Sequence, residues 1–333
     1  MNTLQEPFLT FDVNSDLSFE DKSTIYRSLV ALVKAKYPFD IELQDRCVQF
    51  LKSLEPKWSY DKELANKLVT DLVPSSAGSS SGFVPSIAIV LSLPHSIVVE
   101  AALSFLSRTT QVSSAEIQNR LVESDLITKV FAIVQPQTLS ISGNEEIFDY
   151  LINIIFYCLD LASPSSLIDL GITIAADKYN RREMIFQKVV LPSSKFVTFL
   201  ITNRHILNED LLHSFMSQLD RFIDIGPFHR PTLEFVVASP IVMPFSSCFS
   251  FVEDDQALWN ILNHINLSLG EWKKHGHEVV QSAKRMMQAL ISEGFEDTLE
   301  QTLMLKKSGY YGFRLVDECH SISEFLGSNM PRR

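Results

Sequence analysis

Apolar residues along this chain recur every three or four positions, in runs separated by short polar or proline-containing breaks. That period puts one side of each run against a core and predicts α-helices. The first clear helix opens at Ser18. Asp21 stands three residues on, the spacing of a capping box, and Glu20 suits the positive end of a helix dipole. Ile25, Leu29, Leu32 and Val33 then mark its buried stripe, and residues 1–17 before it read as a tail. Tyr37-Pro38-Phe39-Asp40 breaks the pattern. Asp40 caps a second helix with Leu43, Cys47, Phe50, Leu51 and Leu54 on one face, stopped by Pro56. A third is expected from Asp61 to Leu72 on the stripe Leu64, Leu68 and Leu72. Residues 74–82, rich in serine and glycine, read as a flexible loop or linker.

Residues 82–106 are the most informative. They read as two short helices meeting at Pro94, with Pro85 and Pro94 each suited to a first helical turn, where no N–H partner is needed. Ala101 and Ala102 are small enough to let the second helix pack closely on a neighbour. Gly82, Val84, Pro85, Ile87, Val90 and Leu91, followed by Val98, Ala102, Leu103 and Leu106, resemble the two helices of an armadillo repeat. The pattern returns at Asp125, Ile127, Val130, Ile133 and Val134, an offset of 43 residues from Gly82 to Asp125. HEAT and armadillo units repeat every ~40–47 residues. A further helix follows over residues 147–161.

Beyond this the period blurs while the style persists. Pro192 to Leu200 reads as another such helix. Asn208 caps a segment carrying Leu211, Leu212, Phe215, Leu219 and Phe222, and Pro231 and Pro240 open two short helices. Gly276 to Ile291 carries Val279, Val280, Ala283, Met287 and Leu290 and stops at Gly294, and residues 295–303 close the stack. Residues 196–202 and 235–252 are rich in strand-forming Val, Phe and Thr but have no hairpin turn chemistry beside them, so helix is preferred there too. The resemblance spans residues 18–305, with residues 306–333 as a partly ordered C-terminal tail. It implies an all-α, right-handed α-solenoid of irregular armadillo/HEAT-like repeats. Helix should reach about two-thirds of the chain, against roughly one-third in an average globular protein, with almost no sheet.

Composition narrows the function. The 333 residues hold 46% hydrophobic and 21% charged residues, which fits a folded chain; the 11 glycines and 14 prolines are few, which favours long regular elements. A net charge of −11 repels phosphate and argues against nucleic acid as partner. The basic clusters Arg181-Arg182, Lys273-Lys274 and Lys284-Arg285 read as solvated helix faces. Four cysteines, Cys47, Cys158, Cys248 and Cys319, make no CxxC pair and fit reduced thiols in a cytoplasmic protein. The N-terminus shows no signal peptide, and the long apolar stretches 83–99 and 235–252 are broken by prolines or polar residues, so membrane insertion is not expected.

Recognisable catalytic motifs are missing, including glycine-rich phosphate loops, GxSxG and HExxH. His275-Gly276-His277-Glu278 comes nearest to a metal cluster, but residues two apart do not share a helix face and a site needs three or four ligands. His205, His213 and His229 are scattered. Asp220 and Asp224 share a face but read as surface charges. No cofactor, metal or small-molecule substrate is therefore expected. Armadillo proteins often grip extended peptides through an asparagine ladder on their third helices. Phe105 and Asp160 occupy those positions here, so the ladder is missing. The resemblance implies a protein-interaction scaffold or adaptor. Ser104, Arg108, Asn153, Tyr157 and Asp160 are the candidate partner-contacting residues. A regulatory subunit of an obligate complex, and an enzyme with a site between two helical subdomains, are the alternatives.

Overall fold

A computed structural model of the chain describes residues 6–12, 17–55, 83–112, 115–216, 218–238, 255–292, 295–305 and 310–329. It is 83% helical, with no strand among the described residues. That exceeds the expected two-thirds, chiefly because segments read as tails or breaks are helices. The expected helix over residues 61–72, the loop 74–82, Pro240, Cys248 and Gly294 lie outside the described residues. The chain divides into two compact units, Met1–Cys158 and Leu159–Arg333.

The first unit begins with α1 (Glu6–Thr10), inside the segment read as a tail. Phe8 is fully buried there, packed on Phe11, Phe39 and Phe50, and its N–H donates to the Ser28 hydroxyl at 3.0 Å. Next come α2 (Phe19–Lys34) and α3 (Ile41–Leu54), capped by Ser18 and Asp40 as their sequences predict; the Ser18–Asp21 capping box is complete. Then follow α4 (Phe83–Leu91), α5 (Ser96–Val112), α6 (Ala115–Glu123), α7 (Leu126–Val134) and α8 (Glu145–Asp160).

These helices form two rows. In one, α4 packs between α2 and α7; in the other, α3 packs beside α5. Ile87, Val90 and Leu91 of α4, Val98, Ala102 and Leu106 of α5, and Ile127 and Val130 of α7 are buried between them. Helices α4 and α7 have the same length and begin 43 residues apart, which is the offset read from the sequence. Asp125, aligned there with a glycine, has φ +58°, the left-handed conformation that glycine adopts without strain and Asp tolerates. The register then slips: Ser92–His95 joins α4 to α5, whereas Gln135–Asn144 joins α7 to α8. Pro94 lies in the break and not in the first turn of α5. The His95 carbonyl accepts from Val98 and Val99 instead.

The second unit contains α9 (Pro164–Asp169), then α10 (Ala175–Ile185) and α11 (Leu191–Thr202) joined without a break by a π-helical turn, Phe186–Val190. Pro192 explains the turn. It has no N–H to offer the carbonyl four residues back, and its ring crowds that carbonyl, so the helix widens and Leu191 N–H bonds Phe186. The buried Ser193 hydroxyl donates to the Val189 carbonyl at 2.6 Å. The strand alternative at 196–202 is thereby excluded, and the helix expected at 192–200 is the end of a longer one. By length and composition Ala175–Thr202 could cross a membrane; half of its most apolar window is buried within the protein.

Beyond it lie α12 (Glu209–Met216), capped by Asn208, then α13 (Asp220–Ile225) and α14 (Arg230–Ala238). Last come α15 (Asp255–Lys274), α16 (His277–Ser292), α17 (Phe295–Leu305) and α18 (Tyr310–Asn329). Helix α18 lies within residues 306–333, read from sequence as a partly ordered tail. Its buried Leu315, Cys319, Ile322 and Phe325 match the buried Leu262, Ile265, Leu269 and Trp272 of α15, the helix it packs along most extensively. Asn266 donates to Glu318 at 2.7 Å across that contact.

Candidate functional site

In the first unit α3 packs on α5, and accessible side chains of α8 come within electrostatic reach of both. Helical spacing puts Glu100, Ser104 and Arg108 in one line on α5, and Glu146, Tyr150, Asn153 and Tyr157 in one line on α8. Glu100 and Glu146 lie close enough to act on each other, as do Ser104 and Tyr150. The Tyr150 hydroxyl also points at Glu146, 3.5 Å away. Lys52 and Glu55, at the end of α3, complete the group: Lys52 acts on Glu100, and Glu55 on Tyr150. Burial and the neighbouring Glu146 raise the Glu100 carboxyl above the usual carboxylate value, against the opposing pull of Lys52. Burial and the three carboxylates likewise raise the Tyr150 phenol, against the nearby Ser104 hydroxyl.

Of the candidates read from sequence, the structure brings Ser104 into this group. Asn153 and Tyr157 follow on the same line of α8, half-buried, with Asn153 donating to Asp149 at 3.0 Å. Arg108 is exposed one turn beyond Ser104. Phe105, at the ladder position, is buried in the core, so the outward residue is its neighbour Ser104. Glu100, Glu146 and Tyr150 escaped sequence reading. The signal was there: Glu100 lies four residues from Ser104, and Tyr150 and Glu146 lie three and seven from Asn153, but their nearness across helices is a long-range fact.

Asp160 stands apart. It ends α8, falls within the second unit and pairs with Arg221 of α13. The two residues line a pocket of about 210 Å³ with Ser163, Ser165, Ser166 and Asp224. Asp224, read as a surface charge, accepts from the Ser268 hydroxyl at 3.2 Å and faces Arg182. The Arg181-Arg182 pair, read as a solvated face, is buried. Arg182 donates from Nε to the Ala162 carbonyl at 3.2 Å and lies over the Phe228 ring. Burial lowers its guanidinium to about 10 despite the Asp224 charge. A long apolar stem and a delocalised cation make such burial tolerable once carbonyl, ring and carboxylate partners are present.

His275 and His277 are exposed, and among the described residues no group of three His, Cys, Asp or Glu is placed to hold a metal ion. Cys47, Cys158 and Cys319 are free and buried, and burial raises their thiols to about 12. Thiols so held are unreactive.

No family model and no curated protein sequence matches the chain. Solved structures do. A designed armadillo repeat protein aligns over 88% of this chain and 99% of its own, with a TM-score of 0.52 at 12% identity. A computationally designed armadillo repeat protein, described as made for modular peptide recognition, aligns over 89% and 97%, with a TM-score of 0.56 at 12% identity. Together with the two helix rows and the 43-residue offset, these likenesses show that the chain has an armadillo-like helical repeat fold.

Proposed function

We propose that the chain is a non-catalytic protein-interaction scaffold or adaptor, and that partners are recognised by the face that α3, α5 and α8 share. One observation carries this reading: polar side chains on accessible positions of two helices, Glu100 and Ser104 on one and Glu146 and Tyr150 on the other, lie close enough to influence each other, with Lys52 and Glu55 of a third in electrostatic reach. Helix rows of this kind offer long surfaces without a central pocket, suited to proteins more than to small molecules. One structural neighbour, designed for modular peptide recognition, fits the same use. The net charge of −11 supports a protein partner over nucleic acid. Reduced, buried thiols support a cytoplasmic setting.

The test is affinity capture from the native cell with the full chain and with Tyr150→Ala, followed by mass spectrometry. A partner held by the parent chain and lost by the variant is the expected result. A partner retained equally by both places recognition elsewhere.

A further inference from the structure

We infer that the groove between α2 and α3 is a docking site for a short helical segment of a partner protein carrying two phenylalanines three residues apart, and that α1 is its resident occupant, held there as an intramolecular ligand. The inference does not rest on the face proposed above.

A five-residue helix makes too few hydrogen bonds to persist alone, so Glu6–Thr10 takes its form from what holds it. The Phe8 N–H, in its first turn, has no helical carbonyl to bond and donates to the Ser28 hydroxyl of α2 at 3.0 Å. The Phe11 carbonyl, just past its last turn, accepts from Arg46 Nη1 of α3 at 2.7 Å. Ser28 is itself only 1% exposed, so a polar side chain deep in the first unit receives the segment. The groove thus supplies a hydrogen-bond partner at each end of the segment, where any short helix leaves backbone groups unsatisfied. Both contacts go to backbone atoms and accept a helix of different sequence.

Two rings supply the selectivity. Phe8 meets Phe39 and Phe50 at centroid distances of 6.5 and 6.2 Å. Phe11 meets Phe50 at 5.4 Å, and the Arg46 guanidinium lies 5.5 Å from its ring centre. Phe8 and Phe11 are buried, while Glu6, Thr10 and Asp12 are exposed. A spacing of three puts both rings on one side of the helix. The seat is held by the body: the Phe39 carbonyl accepts from Gln44 Nε2 at 2.9 Å. This is recognition of an amphipathic helix by a groove, with anchors one turn apart. The chemistry it selects is Phe-x-x-Phe with polar residues outward. Tethering gives α1 an effective concentration on the order of 1 mM, so a partner displaces it by binding more tightly or by adding contacts elsewhere on the chain.

A protease recognition sequence inserted after Asp12 of the full chain tests this, because the tether can then be cut while every residue stays present. The probe is a fluorescent peptide copying residues 4–12, followed by anisotropy on the cut and the intact chain. The probe is expected to replace the resident segment on the cut chain. It should bind the intact chain about tenfold more weakly or worse, because tethered α1 competes. Phe8→Ala or Phe11→Ala in the probe should weaken it about tenfold. A probe that keeps Pro7, Phe8 and Phe11 and has alanine elsewhere should stay within about threefold of the parent probe. If cutting costs the chain helix by circular dichroism, recovery of that signal with excess probe becomes the readout, and no recovery overturns the inference. So do an absence of exchange on the cut chain, equal binding to cut and intact chains, and probes indifferent to the two phenylalanines. An intact chain that sediments as a dimer, and as a monomer after Phe8→Ala, overturns it too, since the occupant is then a second copy.

Discussion

His229 Nε2 lies 3.0 Å from Oε2 of Glu183, a contact that ties the start of α14 to α10 through a side chain with no exposed surface. The other ring nitrogen is 3.0 Å from the Thr232 hydroxyl, and Tyr179 and Phe186 pack against the ring. A neutral imidazole satisfies both contacts, donating from Nε2 to Glu183 and accepting the Thr232 hydroxyl at Nδ1.

Burial lowers the His229 imidazole below its ordinary value; Glu183 pulls it up by hydrogen bond and charge, and Arg182 pushes it further down. The unfolded chain therefore takes up this proton first, near about pH 6.5, while the folded chain still excludes it. The His229 contribution to stability is complete above that pH and is lost as pH falls through the interval between the unfolded and folded values. Denaturant melts from about pH 7.5 down to about pH 5 should show that loss, and His229→Gln should flatten this part of the profile. A variant with the same pH profile as the parent chain would mean that the ring carries no such linkage.

Ala102 is fully buried in α5, on the side that carries Val98, Phe105 and Leu106. Ala102→Leu should overpack it and cost about 1–3 kcal/mol. Ala102→Asp should cost more, because a charge would be buried without a partner. Ser104, only half-buried on the same helix, is a candidate partner contact near Tyr150 and so a poor control. Exposed Gln111 replaces it: Gln111→Asp should change stability by no more than about 0.5 kcal/mol. Melts of the three variants decide whether α5 has the register described.

Phe8 closes the N-terminal end of the first unit. Its removal should behave as loss of a core aromatic and not as trimming of a tail. Phe8→Ala is expected to cost about 3–5 kcal/mol. Because repeat units contact mainly their neighbours, the loss should appear as an early transition of the first unit, leaving a later one for the second. A single unshifted melt would show that α1 adds nothing.

What the sequence disclosed was what acts within a turn or two of the chain. Ser18 with Asp21, and Asp40 with Leu43, are local hydrogen bonds, and both helix starts were readable. The stripes of α4 and α7 were readable because apolar period alone sets them. Helix α18 was not. Its apolar stripe is interspersed with Arg314, Asp317, Glu318 and Glu324, and only the matching face of α15, far back in the chain, makes that stripe a core. Buried Arg182 has the same cause: Ala162 and Phe228, the groups that make burial tolerable, lie distant in sequence. At the candidate face, outward positions such as Ser104 and Tyr157 followed from periodicity. The nearness of Glu100 and Glu146 did not, since no local rule brings α5 toward α8.

The widened turn at Phe186–Val190 bears on how this chain tolerates change in length. Buried positions run from Arg182 through Phe186, Val190, Ser193 and Val197 to Ile201 in five turns, one residue more than the roughly 18 that five regular turns consume. The surplus residue sits in the widened turn, so the segments on either side keep a common inward side. Deleting one residue between 186 and 190, together with replacing Pro192, would return the segment to regular pitch with both halves still aligned. The same deletion elsewhere between 175 and 202 would swing one half by about 100° against the other and carry its apolar side out of the core.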